Sequence, residues 1–175
     1  ETLDAYLQEY LAAGCPMVRH SEAFNRAYRP AYRVIDSRFA AVWPLLAPLW
    51  EKAQQNGRFT LALDGMAASG KSTAADLLQM LFGGSIVHLD DFFLPPKMRT
   101  AERLAAPGGN VHYERFCEEV VEPLRRGETF VYRVFDCGRM AFNGTSETID
   151  PAGNIIIEGS YALPPAFGAL PNEPM

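Results

Sequence analysis

Eight residues, Gly65-Met-Ala-Ala-Ser-Gly70-Lys71-Ser72, open and close on glycine before a cation and a hydroxyl. The spacing G-x-x-x-x-G-K-S/T suits a chain of anionic phosphates. Glycine at 65 and 70 permits backbone angles that other residues resist and lets the main chain approach an anion closely. The amides of Ala67, Ala68, Ser69 and Gly70 can then point inward, beside the positive end of a helix expected to start near Lys71. Lys71 is spaced to reach the β- and γ-phosphates, Ser72 to take a magnesium position, and Thr73 to donate to the α-phosphate.

Two further stretches carry acids where a phosphate chemist would want them. "VHLDDFF", residues 87–93, reads as a strand ending in Asp90 and Asp91 followed by two aromatics. "NIIIEG", residues 154–159, is an apolar run with Glu158 at its carboxyl end. In an open parallel sheet the carboxyl ends of the strands face the ligand crevice. A carboxylate there can take a proton from an attacking hydroxyl or help hold a cation. The expectation is Asp90 as general base, with Ser72, Asp90 and Glu158 around Mg2+. No guanine-reading N-K-x-D occurs, so a GTPase is not indicated.

Elements must bring these residues together. "FTLALD", "SIVHLD" and "AGNIIIEG" read as buried strands and residues 71–82 as a helix stopped by Gly83-Gly84. "YERFCEEVVEPLRRG" reads as a helix, "TFVYRVFD" as a strand, and residues 94–111 as a basic, proline-rich loop with one helical turn. In that loop Lys97, Arg99 and Arg103 are candidate phosphate or acceptor contacts on closure. Alternating strands and helices predict an α/β fold with a parallel sheet. The expected domains are a helical N-terminal extension over 1–56 and a core over 57–175. In the extension, "DSRFAAVWPLLAPLWEKAQQ" is expected to be a helix capped by Asp36 or Ser37 and broken or shortened by Pro44 and Pro48.

Composition bounds the partners. The 175 residues carry 48% hydrophobic and 21% charged side chains, a globular balance, and a formal charge of −5 that argues against nonspecific nucleic-acid binding. Cys15, Cys117 and Cys137 are an odd, scattered set that suits a reducing cytoplasm, and with His20, His88 and His112 they show no zinc-like spacing. "FAAVWPLLAPLW" is too short to span a bilayer, and no leader opens the chain, although it starts at Glu1. A cytoplasmic protein with no membrane or nucleic-acid partner is expected, with a homo-oligomer left open.

The phosphate loop together with "LDDFF" and "IIIEGSYALP" resembles the uridine kinase and phosphoribulokinase branch of P-loop kinases, over roughly residues 58–165. The resemblance implies the P-loop nucleoside triphosphate hydrolase fold, a three-layer αβα sandwich, with ATP and Mg2+ as cofactors. It implies Asp90 as base, Glu158 as the acid helping to hold magnesium, and Asp91 where the family often has serine. "GGNVHYERF" is similar to the segment whose aspartate grips sugar hydroxyls, a position held here by His112. "YRVFDCGR" resembles the base-reading stretch: Tyr132 and Arg139 fit, and Cys137 stands where a histidine is expected. Family members continue into a further strand and an arginine-bearing lid, whereas this chain stops at Met175, so a fragment, or a lid outside it, is expected.

The reading is a kinase that phosphorylates a hydroxyl of a small, nucleoside-like metabolite. Asp90 and Lys71 are catalytic, and Phe93, His112, Tyr113, Tyr132 and Arg139 surround the acceptor. Two alternatives stay open: a non-catalytic ATP-binding regulatory protein, and a kinase for a non-nucleoside acceptor such as pantothenate or a sugar phosphate.

Overall fold

The computed structural model describes residues 2–14, 19–29 and 35–162, which divide into two compact units between Ile35 and Asp36. Cys15 and the terminal "PPAFGALPNEPM" lie outside the described residues. The first unit holds helices α1 (Leu3–Ala12) and α2 (Glu22–Tyr28). Thr2 and Ser21 cap them by accepting the amides of Ala5 and Phe24, satisfying donors that have no partner within the helix.

The second unit begins earlier than residue 57. Asp36 caps a 3-10 turn over Ser37–Ala40, and α3 follows as one element, Trp43–Asn56. The prolines do not break it. Pro44 lies in the first turn, where an amide has no intrahelical acceptor in any case, and Pro48 forfeits one bond of a 14-residue helix. Val42 and Leu49 are buried in one core with Phe59, Leu77, Leu78 and Ile156, and this burial fixes the helix in place.

Five strands follow: β1 (Thr60–Asp64), β2 (Ser85–His88), β3 (Phe130–Asp136), β4 (Ala141–Ile149) and β5 (Ile155–Gly159). β1, β5 and β2 form a parallel sheet in that order. In β5, Ile155, Ile156 and Ile157 are almost fully buried, as a central strand covered on both faces must be. Ile156 faces α3 and α4 (Lys71–Phe82), whereas Ile155 and Ile157 join Phe116, Val120, Val121 and Leu124 on the opposite side. The result is three layers, αβα. β3 does not enter the parallel sheet: it pairs antiparallel with β4 as a separate hairpin.

Between β2 and the hairpin the chain forms α5 (Ala101–Ala105) and α6 (Tyr113–Phe116), which passes through a π-helical turn, Cys117–Val121, into α7 (Glu122–Arg126). Pro123 has no amide and crowds the preceding turn, so the ladder widens there to an i→i+5 bond from Glu122 to the Cys117 carbonyl.

Gly84 joins α4 to β2 at φ 94°, and a Cβ on it would lie 2.0 Å from the Asn154 carbonyl oxygen. That carbonyl accepts the Ser85 amide, while the Asn154 side chain ties the Phe59 amide to the Phe82 carbonyl. Gly84→Ala is therefore expected to cost about 3 kcal/mol, from backbone strain and overpacking together. A urea midpoint unchanged from wild type would refute this.

Candidate functional site

Because β1, β2 and β5 are parallel, their carboxyl ends converge on one edge of the sheet. β1 ends at Asp64, and residues 65–70 loop into the first turn of α4. Two residues of that loop have left-handed backbone angles, Ala68 at φ 59° and Gly70 at φ 88°. Changes of hand between successive residues turn neighbouring amides toward a common centre, the concave arrangement that suits an anion. Lys71 Nζ donates to the Met66 carbonyl at 2.7 Å across the loop. Gly65 is tight: a Cβ there would come within 3.1 Å of Ser69 Oγ. The segment after β5 braces the loop from its other side. Ser160 Oγ donates to the Gly65 carbonyl at 3.0 Å, and the Tyr161 amide donates to Asp64 Oδ1 at 2.9 Å. Ser160 and Tyr161 lie within the quoted "EGSYALP", yet sequence reasoning gave neither a role.

Glu158 sits between Leu63 and His88 in the sheet register, on the face that carries Ile156 and α4. It is only 4% exposed, and Oε1 lies 2.7 Å from His88 Nδ1. A buried carboxylate near the carboxyl end of β5 is a hard oxygen donor of the kind magnesium takes, as are the Ser72 hydroxyl and the Asp90 carboxylate. Among the described residues no three His, Cys, Asp or Glu side chains converge as a metal cage. Magnesium needs none, since it keeps water and substrate phosphate oxygens and takes one or two protein ligands. The donor set fits.

The two aspartates after β2 occupy a 3-10 turn, Leu89–Phe92, anchored by the buried Leu89 and Phe92. Asp90 is exposed, and its carbonyl accepts the Cys137 thiol at 3.3 Å. Asp91 is half-buried and accepts the Tyr132 hydroxyl on Oδ2 at 3.3 Å. Burial pushes the Asp91 carboxyl above the usual carboxylate range, against the opposing pull of His88, Tyr132 and Arg115. Burial, and then the Asp91 charge, push the Tyr132 phenol far above its ordinary value.

A raised acid pKa stabilises the fold fully below the unfolded carboxylate range, and this contribution is lost as pH rises through the folded value. Asp91→Asn, which carries no charge to bury, is therefore expected to raise the melting temperature most at about pH 7, with the gap to wild type closing toward about pH 4. Melting curves across that window check it, and a gap that widens in acid would reverse the sign.

A cavity of about 590 Å³ opens between α4, β2 and the β3–β4 hairpin. Asp76 and Gln79 of α4, His88, Asp91, Tyr132 and Glu147 are among its lining. Of the residues expected around an acceptor, Tyr132 lines this cavity; Phe93, His112, Tyr113 and Arg139 do not. Phe93 forms a β-bridge with Val111, and His112 caps α6 by accepting the Arg115 amide. The Tyr113 hydroxyl packs where Gly108 leaves room for it, and Arg139 sits in the hairpin turn 3.7 Å from Asp136. In the basic loop, Arg103 is held by both oxygens of Glu114 and by the Val111 carbonyl.

Arg115 was not singled out from sequence, where it looks like any helical surface cation. It is 4% exposed, stacks over Phe92 at 4.2 Å, and donates to the carbonyls of Asp91 and Arg133 and to Glu119. It therefore fastens the acid turn to the hairpin across the cavity wall. The only sequence signal is Glu119 four residues further on, an opposite charge on the same helix face.

A structure of "a Possible Uridine Kinase" from Bacillus stearothermophilus superimposes with a TM-score of 0.59 at 17% identity, covering 75% of this chain and 74% of that one. The crystal structure of a "putative fructose transport system kinase" from Silicibacter sp. TM1040 matches with a TM-score of 0.54 at 27% identity, over 71% of this chain and 66% of that one. The fold is that of a P-loop kinase. Both neighbours fall in the uridine kinase and phosphoribulokinase branch of P-loop kinases, the branch that the loop, the acid turn and β5 resemble. No family model matches the sequence, and no curated protein does. Among the described residues of this P-loop kinase fold, no helix is long and apolar enough to cross a membrane.

Proposed function

We propose that the protein is an ATP- and magnesium-dependent kinase that transfers the γ-phosphoryl group to a hydroxyl of a small, nucleoside-like metabolite. The supporting observation is the meeting of three features at one sheet edge: an amide-lined loop with Lys71, the acid turn after β2, and the buried Glu158 at the end of β5.

In this reading the loop amides and Lys71 hold the phosphate chain and oppose the charge that gathers on the transferring group. Magnesium, when bound, would neutralise part of the phosphate charge. Ser72, Asp90 and Glu158 are its protein-side oxygens. Asp90, exposed in the turn after β2, accepts the proton of the attacking hydroxyl. Tyr132 and the polar cavity wall orient the acceptor, whose hydroxyls match the carboxylate, amide and hydroxyl groups there. Phe93, His112, Tyr113 and Arg139 are assigned to the acceptor side as residues of the same segments. The exposed Cys137 suits a reducing cytoplasm as the working compartment.

The test is ADP release from ATP with and without acceptors. The panel holds nucleosides, pantothenate and sugar phosphates, with fructose added because the neighbour from Silicibacter is named for it. Stimulation by a nucleoside supports the proposal. Stimulation by another acceptor alone keeps the kinase and replaces the substrate. Tight ATP binding without turnover on any acceptor favours a regulatory ATP-binding protein.

A further inference from the structure

Among the described residues, two charged side chains are buried, Glu158 and Arg115. Glu158 belongs to the phosphate end of the site. Arg115 is ion-paired with Glu119 at 3.2 Å, but a buried ion pair is a weak source of stability. Well-packed apolar side chains of similar volume often do as well or better. A guanidinium buried at this position calls for a second reason.

What its fork spans supplies one. Nη2 donates to the Asp91 carbonyl, 24 residues back in the chain, and Nη1 to the Arg133 carbonyl at 2.7 Å, 18 residues ahead. The first acceptor belongs to the residue after Asp90. The second lies in β3 between Tyr132 and Val134, both of which line the acceptor cavity. One rigid, planar group thus joins the turn of the candidate base to the cavity wall. The fork is itself held, over Phe92 at 4.2 Å and Phe142 at 5.1 Å. Glu119 also accepts the Arg133 amide at 3.1 Å and Arg133 Nε at 2.9 Å, so both polar groups of the Arg133 backbone are fixed from one helical segment. Just beyond Arg133 the β3–β4 register slips, and Asn143 and Thr145, opposite the slip, line the cavity too. Irregularities of this kind re-aim side chains beside a site.

We propose that Arg115 is a positioning residue for phosphoryl transfer, setting the spacing between the Asp90 turn and the hairpin wall that holds the acceptor. The inference rests on the kinase reading above and adds the residue that joins its two acceptor-side parts. Arg115 touches no reacting atom; it acts through the backbone of Asp91 and Arg133.

The experiment uses three variants of the full chain. Arg115→Lys keeps the charge and the Glu119 partner but replaces the fork with a single ammonium. Arg115→Met keeps only an apolar stem, and Lys decides the matter where Met does not fold. Leu124→Ala removes core packing further along the same helical segment and touches neither carbonyl. Rates are read with ATP, magnesium and the acceptor of highest turnover in the panel above. Calorimetry with ATP at the same temperature gives the nucleotide affinity, and its stoichiometry counts the folded molecules. A misplacement of about 1 Å can cost on the order of 100-fold in rate. Both Arg115 variants are expected to lose roughly 10- to 100-fold in kcat/KM for the acceptor, with ATP affinity within about twofold of wild type. Leu124→Ala is expected to melt at a lower temperature and to turn over, per folded molecule, within about threefold of wild type. Three outcomes overturn the proposal: an Arg115→Lys variant that turns over like wild type, losses in ATP affinity as large as those in kcat/KM, or a Leu124→Ala variant that loses as much per folded molecule as Arg115→Lys. Wild-type protein that turns over no acceptor overturns the kinase reading, and this inference with it.

Discussion

Asp90→Asn is expected to lower kcat by about 10²- to 10⁴-fold while leaving ATP affinity close to wild type. The asymmetry comes from where Asp90 sits. It occupies the exposed end of a turn whose fold is held by neighbours, since Leu89 and Phe92 fill the core and Arg115 grips the Asp91 carbonyl. Asparagine at 90 keeps the size, the turn and the Cys137 contact to the backbone carbonyl. It removes the one property a base needs, a carboxylate able to accept the proton. Single-turnover ADP formation, set beside nucleotide binding by calorimetry, separates the two effects. Wild-type turnover in the variant would move the base elsewhere, and the half-buried Asp91, already biased toward holding a proton, is the next group to examine.

Lys71→Met should have the second large effect, on both binding and rate. Methionine preserves the length of the side chain and its packing against the loop. It removes a charge-assisted bond to phosphate, of about 1.5 to 3 kcal/mol, or roughly 10- to 100-fold in ATP affinity. A further loss of about 10²- to 10³-fold in kcat is expected, because the same charge opposes what develops on the transferring group. The lysine also closes on the Met66 carbonyl, so a modest drop in melting temperature should accompany the change. Calorimetry and initial rates together check it. A variant that binds ATP normally would show that the loop amides carry the phosphate chain alone.

What could be read from residue order was what is local. The phosphate loop is a continuous octet whose glycines state their own geometry, and the structure gives Gly70 the left-handed angle that its type suggests. β5 was legible because three isoleucines in a row have few other places to go. Partnership in space was not legible. β4 escaped notice because its residues are exposed up to Ile149; it exists through pairing with β3, which hydropathy does not register. For the same reason β3 was not recognised as half of a separate hairpin. α3 shares its core with α4, a fact hidden by two prolines that discourage a helix until tertiary burial overrides them. At the candidate site, the positions of Asp90 and Glu158 at strand ends were legible. The roles of Arg115 and of the Glu158–His88 pair depend on contacts across 18 to 70 residues of chain, which no local pattern encodes.

The pairing of β1 with β5 has a consequence for biosynthesis. Phe59 and Asn154, bonded at the start of that pairing, are 95 residues apart. At about 5–20 residues per second, the ribosome delivers the second strand roughly 5 to 20 seconds after the first. Throughout that interval the nascent phosphate loop has no Ser160 to brace it, and β1 has no neighbour in the sheet. Protection of β1 during synthesis falls to α3 and α4, which emerge immediately on either side of it.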